Sequence, residues 1–395
     1  SALRAAHPEV DPALVSALAT QVRLRRRAAD RLGPWATDLV LDDEALQQAS
    51  RRDVARYRAA RLVARLGREG STVADLGCGL GIDARALAEV GCRVIAVERD
   101  PWRAEAAHVN LATFGERVTV MRADATTLDE TVLDACDAAY VDPARRSTGG
   151  PRRIDGGRSR AVASPEHWSP AWSWVVALST RMPVVAKVSP GFDPTLAPDG
   201  ADIEWIDHDG ETVEATVWMG PGKPDRSGSA DSPGPTGERR ATSIVGEHLA
   251  TLARTAGTQD PGPAATSVGR LLIEPSPGVM RAGLVDELAE RLGARRLEGS
   301  TWLTADELDP TPLARAWKVV AEVPHAPREL RAWLSGRGRV TWKTADTQAS
   351  ATDWERRVGH RPAKAPAVTI VITGAGRAFA VERHTPIIEN DGSSR

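Results

Sequence analysis

The stretch Thr72-Val73-Ala74-Asp75-Leu76-Gly77-Cys78-Gly79-Leu80-Gly81-Ile82-Asp83 decides the fold. Thr72–Leu76 reads as a short buried strand, and three glycines at alternate positions end it. A helix over Ala84–Val90 follows. Glycine lets the backbone bend sharply and lets a ligand approach with no side chain between. The spacing is Gly-x-Gly-x-Gly with Asp75 two residues ahead, unlike the Gly-x-Gly-x-x-Gly turn that holds a pyrophosphate.

Working outward, short apolar runs alternate with helical ones. Strands are expected at Arg93–Val97, Val118–Arg122, Ala138–Val141 and Val184–Val188, with helices at Trp102–Thr113 and Trp172–Ser179. That alternation predicts an α/β fold, a parallel Rossmann-like sheet with helices on both faces. Ile203–Asp207 and Val213–Trp218 flank Asp209-Gly210, a hairpin signal.

Carboxylates recur where these strands end: Asp75, Glu98, Asp124 and Asp142. In a parallel sheet they share the crevice at its carboxyl edge. A carboxylate at Glu98 can take both ribose hydroxyls, and one at Asp124 can accept from an adenine amine. Together with the glycine spacing this favours a methionine sulfonium nucleoside over a dinucleotide.

These residues resemble those of class I S-adenosylmethionine-dependent methyltransferases. The resemblance implies S-adenosyl-L-methionine as cofactor. It would be held by Asp75, Gly77, Gly79, Gly81, Asp83, Glu98, Arg99, Asp124, Ala125 and Asp142. Asp142-Pro143-Ala144-Arg145-Arg146 stands where base-amine methyltransferases carry Asp/Asn-Pro-Pro and an aromatic residue. There the acid and a prolyl carbonyl accept hydrogen bonds from the amine, so Asp142, Pro143 and Arg145 are the expected catalytic residues. Stacking on a base can come from Arg145, or from Tyr140, Trp168 or Trp35.

The Asp-Pro-Ala-Arg-Arg form, with Gly149-Gly150-x-Arg152-Arg153, resembles a bacterial group related to trimethylguanosine synthase that has a C-terminal THUMP-like domain. Leu46–Ser50, Ala55-x-Tyr57-x-Ala59, Lys187–Gly191, Ile273-Glu274-Pro275 and Arg281–Leu284 extend the resemblance over most of the chain. It implies an RNA substrate, tRNA or rRNA, methylated on a base amine, guanine first. A small-molecule or protein acceptor, or a non-catalytic cofactor-sensing RNA-binding protein, stays open.

The domains are expected at 1–68 (helical), 69–222 (methyltransferase core), 223–242 (flexible linker) and 243–386 (α+β, THUMP-like, RNA-binding). Leu14, Leu18, Val22 and Leu24 begin an amphipathic helix, and Val54, Tyr57, Leu62 and Leu66 lie on another over Arg51–Leu66. The C-terminal part reads as strands at Leu271–Glu274, Arg339–Lys343, Val368–Thr373 and Ala378–Glu382, with helices at Ala282–Leu292 and Pro327–Leu334.

At 395 residues the chain is too long for one core. The net charge of -2 is uneven: residues 1–68 carry +5, 314–384 carry +7 and 69–313 carry -13. Any polyanion would therefore meet the outer regions, with Arg328, Arg331, Arg337, Arg339 and Lys343 as one phosphate-contacting cluster. No membrane-spanning run or signal segment is read, and the three cysteines have neither metal-ligand nor disulfide-framework spacing. The expectation is a cytoplasmic enzyme without metal.

Overall fold

The computed structural model describes residues 10–143, 164–221, 236–254, 264–345 and 349–384. Arg145, its neighbours to Arg153 and most of the expected linker lie outside them. The chain forms two compact units, Ser1–Ile203 with Glu214–Gly237, and Glu204–Val213 with Glu238–Arg395.

The first unit opens with helices α1 (Pro12–Leu32), α2 (Asp43–Gln48) and α3 (Arg52–Leu66). Asp11 and Asp42 cap the first two by accepting from backbone N–H groups. The expected stripe on α1 is corrected. Leu14, Leu18 and Val22 are about half exposed, and the covered face is Val15, Leu24, Ala28 and Leu32. Leu24, Ala28 and Leu32 join Trp35, Leu39, Leu41 and Leu62 in one cluster with Val73, Ala84, Leu87 and Leu111. The helical region is therefore packed into the sheet's own core.

The sheet follows as β1 (Thr72–Leu76), α4 (Ile82–Glu89), β2 (Arg93–Glu98), α5 (Pro101–Leu111), β3 (Val118–Arg122), α6 (Glu130–Asp134), β4 (Ala138–Val141), α7 (Trp172–Ser179) and β5 (Val184–Val188). Its strand order is β3-β2-β1-β4-β5, parallel throughout. Leu76 lies opposite Val97 and Val141, and Val141 opposite Ala186, so the strand ends align along one edge. The first unit's sheet ends with residues 215–219 of β7 (Glu211–Met219), antiparallel to β5, while most of β6 (Asp202–His208) and the start of β7 fall in the second unit. Asp209 and Gly210 between β6 and β7 both have positive φ, as a two-residue hairpin turn requires.

The second unit is α+β. It contains β8 (Arg239–Val245), β9 (His248–Arg254), β10 (Leu271–Pro275), α8 (Pro277–Ala282), α9 (Val285–Arg291), β11 (Arg295–Arg296), β12 (Leu303–Ala305), β13 (Ala314–Val323), α10 (Pro327–Trp333), β14 (Val340–Ala345), α11 (Ala351–Val358), β15 (Val368–Thr373) and β16 (Ala378–His384). A seven-stranded sheet runs β11-β12-β10-β13-β16-β15-β14, with only β14 and β15 parallel among these pairs. Leu330 of α10, Leu334 just after it, and Trp354 and Val358 of α11 cover one face through Ile370 and Ile372. Leu272, Trp302, Val371 and Phe379 form the other.

Two expectations are revised here. The helix over Ala282–Leu292 is two helices, because Gly283 takes a left-handed conformation (φ 70°) that ends α8. Arg239 and Arg240, placed in the linker, open β8.

Candidate functional site

Asp75, next to last in β1, is 1% exposed, and neither of its carboxylate oxygens has a hydrogen-bond partner among the described residues. Burying an unpaired carboxylate is costly. Burial pushes its pKa well above the ordinary range, the charges of Asp83 and Asp142 push it further, and Arg58 and Lys187 pull against them. A buried carboxyl with no partner among the described residues calls for an explanation.

The glycine bend is fastened to β2. Gly77 and Cys78 donate to the Val97 carbonyl at 2.8 and 3.0 Å. Gly79 donates to Glu98 Oε2 at 3.0 Å, while Oε1 accepts from Asp100 N at 2.8 Å. Each Glu98 oxygen keeps a second lone pair, so the carboxylate can still accept from a diol. Gly79 has φ +56° and a Cβ there would meet nothing within 4 Å, so the bend is open on that side. Gly81 is different. Its φ is +81°, and a Cβ would stand 2.7 Å from Leu111 Cδ1, so it is glycine for packing against α5.

These residues fit S-adenosylmethionine. Open space lies over Gly79, an unsatisfied carboxyl waits at Asp75, and a hydroxyl acceptor stands at Glu98.

The remaining expected positions divide. Asp142 directly follows β4, its side chain is 32% exposed, and Oδ2 accepts from Lys187 Nζ at 2.5 Å. Pro143 beside it is buried. Asp124 caps a short 3-10 turn, accepting from Thr126 N and Oγ1 at 2.9 and 2.7 Å through Oδ1, and the Thr126 hydroxyl bond lowers its pKa. Ala125 opens that turn, and Arg99 is exposed. Asp83 is engaged within the chain: Arg58 Nη2 donates to Oδ1 and Ser50 Oγ to Oδ2. Burial alone would raise the Asp83 pKa, but the Arg58 and Lys187 cations outweigh it and lower it.

That ion cluster was not legible as a site. Arg58 is 2% exposed, donates also to Glu214 and Ser50, and lies 4.9 Å over the Tyr140 ring. Tyr140 and Trp35 are both buried, and of the three expected stacking aromatics only Trp168 keeps partial exposure. Trp168 packs edge-on to Trp172 at 5.8 Å and near Phe192 at 6.5 Å.

In the second unit the expected basic cluster is partly committed internally. Lys343 donates to both Glu274 oxygens at 2.9 Å, and Arg331 donates to the Val358 and Arg357 carbonyls. Arg328, Arg337 and Arg339 are exposed, and Arg337 lies 3.8 Å over the Trp333 ring.

A parallel sheet with a glycine bend and carboxylates at successive strand ends defines a class I methyltransferase core. No family model matches the chain. Over 370 residues it is 31% identical to an uncharacterised S-adenosylmethionine-dependent methyltransferase of Mycobacterium tuberculosis, covering 89% of this chain and 91% of that one. A 114-residue stretch is 37% identical to ribosomal RNA small subunit methyltransferase A of Anaeromyxobacter dehalogenans, covering 29% of this chain and 35% of that one. A crystal structure of a candidate methyltransferase from Porphyromonas gingivalis shares the fold, with a TM-score of 0.69 at 21% identity over 95% of this chain and 92% of that one. The chain belongs to the S-adenosylmethionine-dependent methyltransferases, and S-adenosylmethionine is its cofactor.

Proposed function

We propose that this methyltransferase acts on an exocyclic amine of a base in RNA, guanine first, in tRNA or rRNA. The observation that carries the reading is Asp142. It stands at the end of β4 with its carbonyl 3.8 Å from where a Gly77 Cβ would be, so it adjoins the glycine bend. Oδ2 is anchored on Lys187, and Oδ1 has no partner among the described residues.

The bound cofactor supplies a methyl group already activated by the sulfonium. The protein's task is therefore alignment more than strong base catalysis. Asp142 Oδ1 and the Pro143 carbonyl accept from the amine N–H groups and turn its lone pair toward the methyl carbon. Asp142 then receives the proton that the methylated nitrogen sheds. Asp75, the Gly77–Gly81 bend and Glu98 hold the cofactor, with Asp124 and Ala125 at the adenine. Trp168 is the aromatic candidate for stacking on the base.

RNA is supported by the exposed Arg328, Arg337 and Arg339 and by the ribosomal RNA methyltransferase among the relatives. The C-terminal unit would then be the THUMP-like RNA-binding part. Mass-spectrometric comparison of modified nucleosides in RNA from cells with and without the gene tests this. A methylated guanosine missing from one tRNA or rRNA site in the deletion is the expected result, and identical profiles would contradict it.

A further inference from the structure

The parallel pairing of β4 and β5 puts Val141 opposite Ala186, so the next pair along the edge is Asp142 and Lys187. Lys187 Nζ reaches Asp142 Oδ2 at 2.5 Å, Ser50 Oγ at 3.2 Å and the Gln48 carbonyl at 3.2 Å. Its three ammonium protons are thus all directed, one to the acid and two to the turn between α2 and α3. Ser50 Oγ is the junction of two ion pairs. It accepts from Lys187 and from Arg58 Nη2 at 3.0 Å, and donates to Asp83 Oδ2 at 3.0 Å. Arg58 continues the chain to Glu214 on β7.

A carboxylate on a strand end, 32% exposed, rotates freely unless something holds it. Here one oxygen is tied down and the other is left for the acceptor. We propose that Lys187 is a positioning residue for methyl transfer, orienting Asp142 through Oδ2. The Gln48–Ser50 turn, by fixing Lys187, makes the N-terminal helical region part of the catalytic apparatus. This rests on the reading of Asp142 as the acceptor-holding acid. Lys187 keeps its charge: burial alone would lower its pKa, but Asp142, Asp83 and Glu214 outweigh that and raise it.

The test uses the full-length protein, labelled cofactor and fractionated extract from cells lacking the gene, so any acceptor class is scored. Lys187→Met should lower kcat by about 30-fold, as misalignment at the reacting centre does. KM and cofactor Kd should stay within about twofold. Lys187→Arg, which keeps the cation, should recover most of the loss. Adding Lys187→Met to Asp142→Asn should cost nothing further, because both substitutions remove one interaction. Should Lys187→Met prove unstable, Ser50→Ala, which removes one of the three groups holding Lys187 together with the link to Arg58 and Asp83, should give a smaller kcat loss with cofactor Kd unchanged.

A Lys187→Met enzyme with undiminished kcat overturns the proposal, as does a loss that adds fully to that of Asp142→Asn. Full activity in Asp142→Asn itself removes the acid's role and the inference with it. Label entering protein or small molecules contradicts the RNA reading, and the variant comparison then runs on that acceptor. Label entering no fraction overturns both.

Discussion

Asp75 and Glu274 stand near the ends of β1 and β10, and they meet opposite fates. Glu274 accepts from Lys343 through both oxygens and from Trp317 Nε1 at 3.0 Å, and Lys343 lies 4.7 Å over the Trp317 ring. Asp75 is more deeply buried and has no hydrogen-bond partner among the described residues. Folded proteins satisfy nearly all buried polar groups, so an unsatisfied one calls for an explanation. Around Glu274 the hydrogen-bond account closes within the unit. Around Asp75 it stays open among the described residues, and under the proposed reading a ligand over the open bend at Gly79 closes it.

Breaking the open side should have the largest effect. Gly79→Arg puts a long cation into the space beside Asp75 and strains a left-handed backbone position. At a cofactor concentration 100 times Kd the wild-type protein should gain about 2.7 kcal/mol. Calorimetric unfolding of Gly79→Arg should show no gain, and an unchanged shift would move the site elsewhere.

Asp75→Asn should sharpen the contrast by separating binding from stability. The folded-state pKa of Asp75 is raised, so its contribution to stability is fullest below the ordinary carboxylate range and is lost as pH rises from roughly 4 toward the folded value. Asn removes that dependence. The cofactor-free variant should therefore unfold at an equal or higher temperature than wild type at pH 7, while its cofactor affinity falls by about tenfold or more. Unfolding curves between pH 4 and pH 8 and a calorimetric titration check both signs. A drop in stability with unchanged affinity would make Asp75 structural.

The smallest functional effect belongs to the closed account. Lys343→Met leaves Glu274 without its cation and should cost about 1–3 kcal/mol of stability. Cofactor affinity should not change, which the same titration reads.

The sheet was legible because its strands are short, mainly apolar runs between turn signals, buried at β1, β4 and β5 and half exposed at the edge strand β3. Thr72–Leu76, Val118–Arg122, Ala138–Val141 and Val184–Val188 all end where read. β13 was not, because one of its faces is wet and Arg315, Lys318 and Glu322 interrupt its apolar pattern. On α1 two apolar stripes compete. Only packing against α3 and the Gly33–Thr37 turn selects Leu24, Ala28 and Leu32 over Leu14, Leu18 and Val22. The glycine bend and the acids beside it are local signals, so they could be read directly. The Lys187–Asp142 pair and the Arg58 hub join residues from separate elements, and no local pattern announces them.

The most direct test is a structure of the protein with S-adenosylmethionine bound. The nucleoside should lie over Gly79, with its ribose hydroxyls on Glu98 and its charged end toward Asp75. A cofactor bound elsewhere, or protein atoms filling the space over Gly79, would contradict the account.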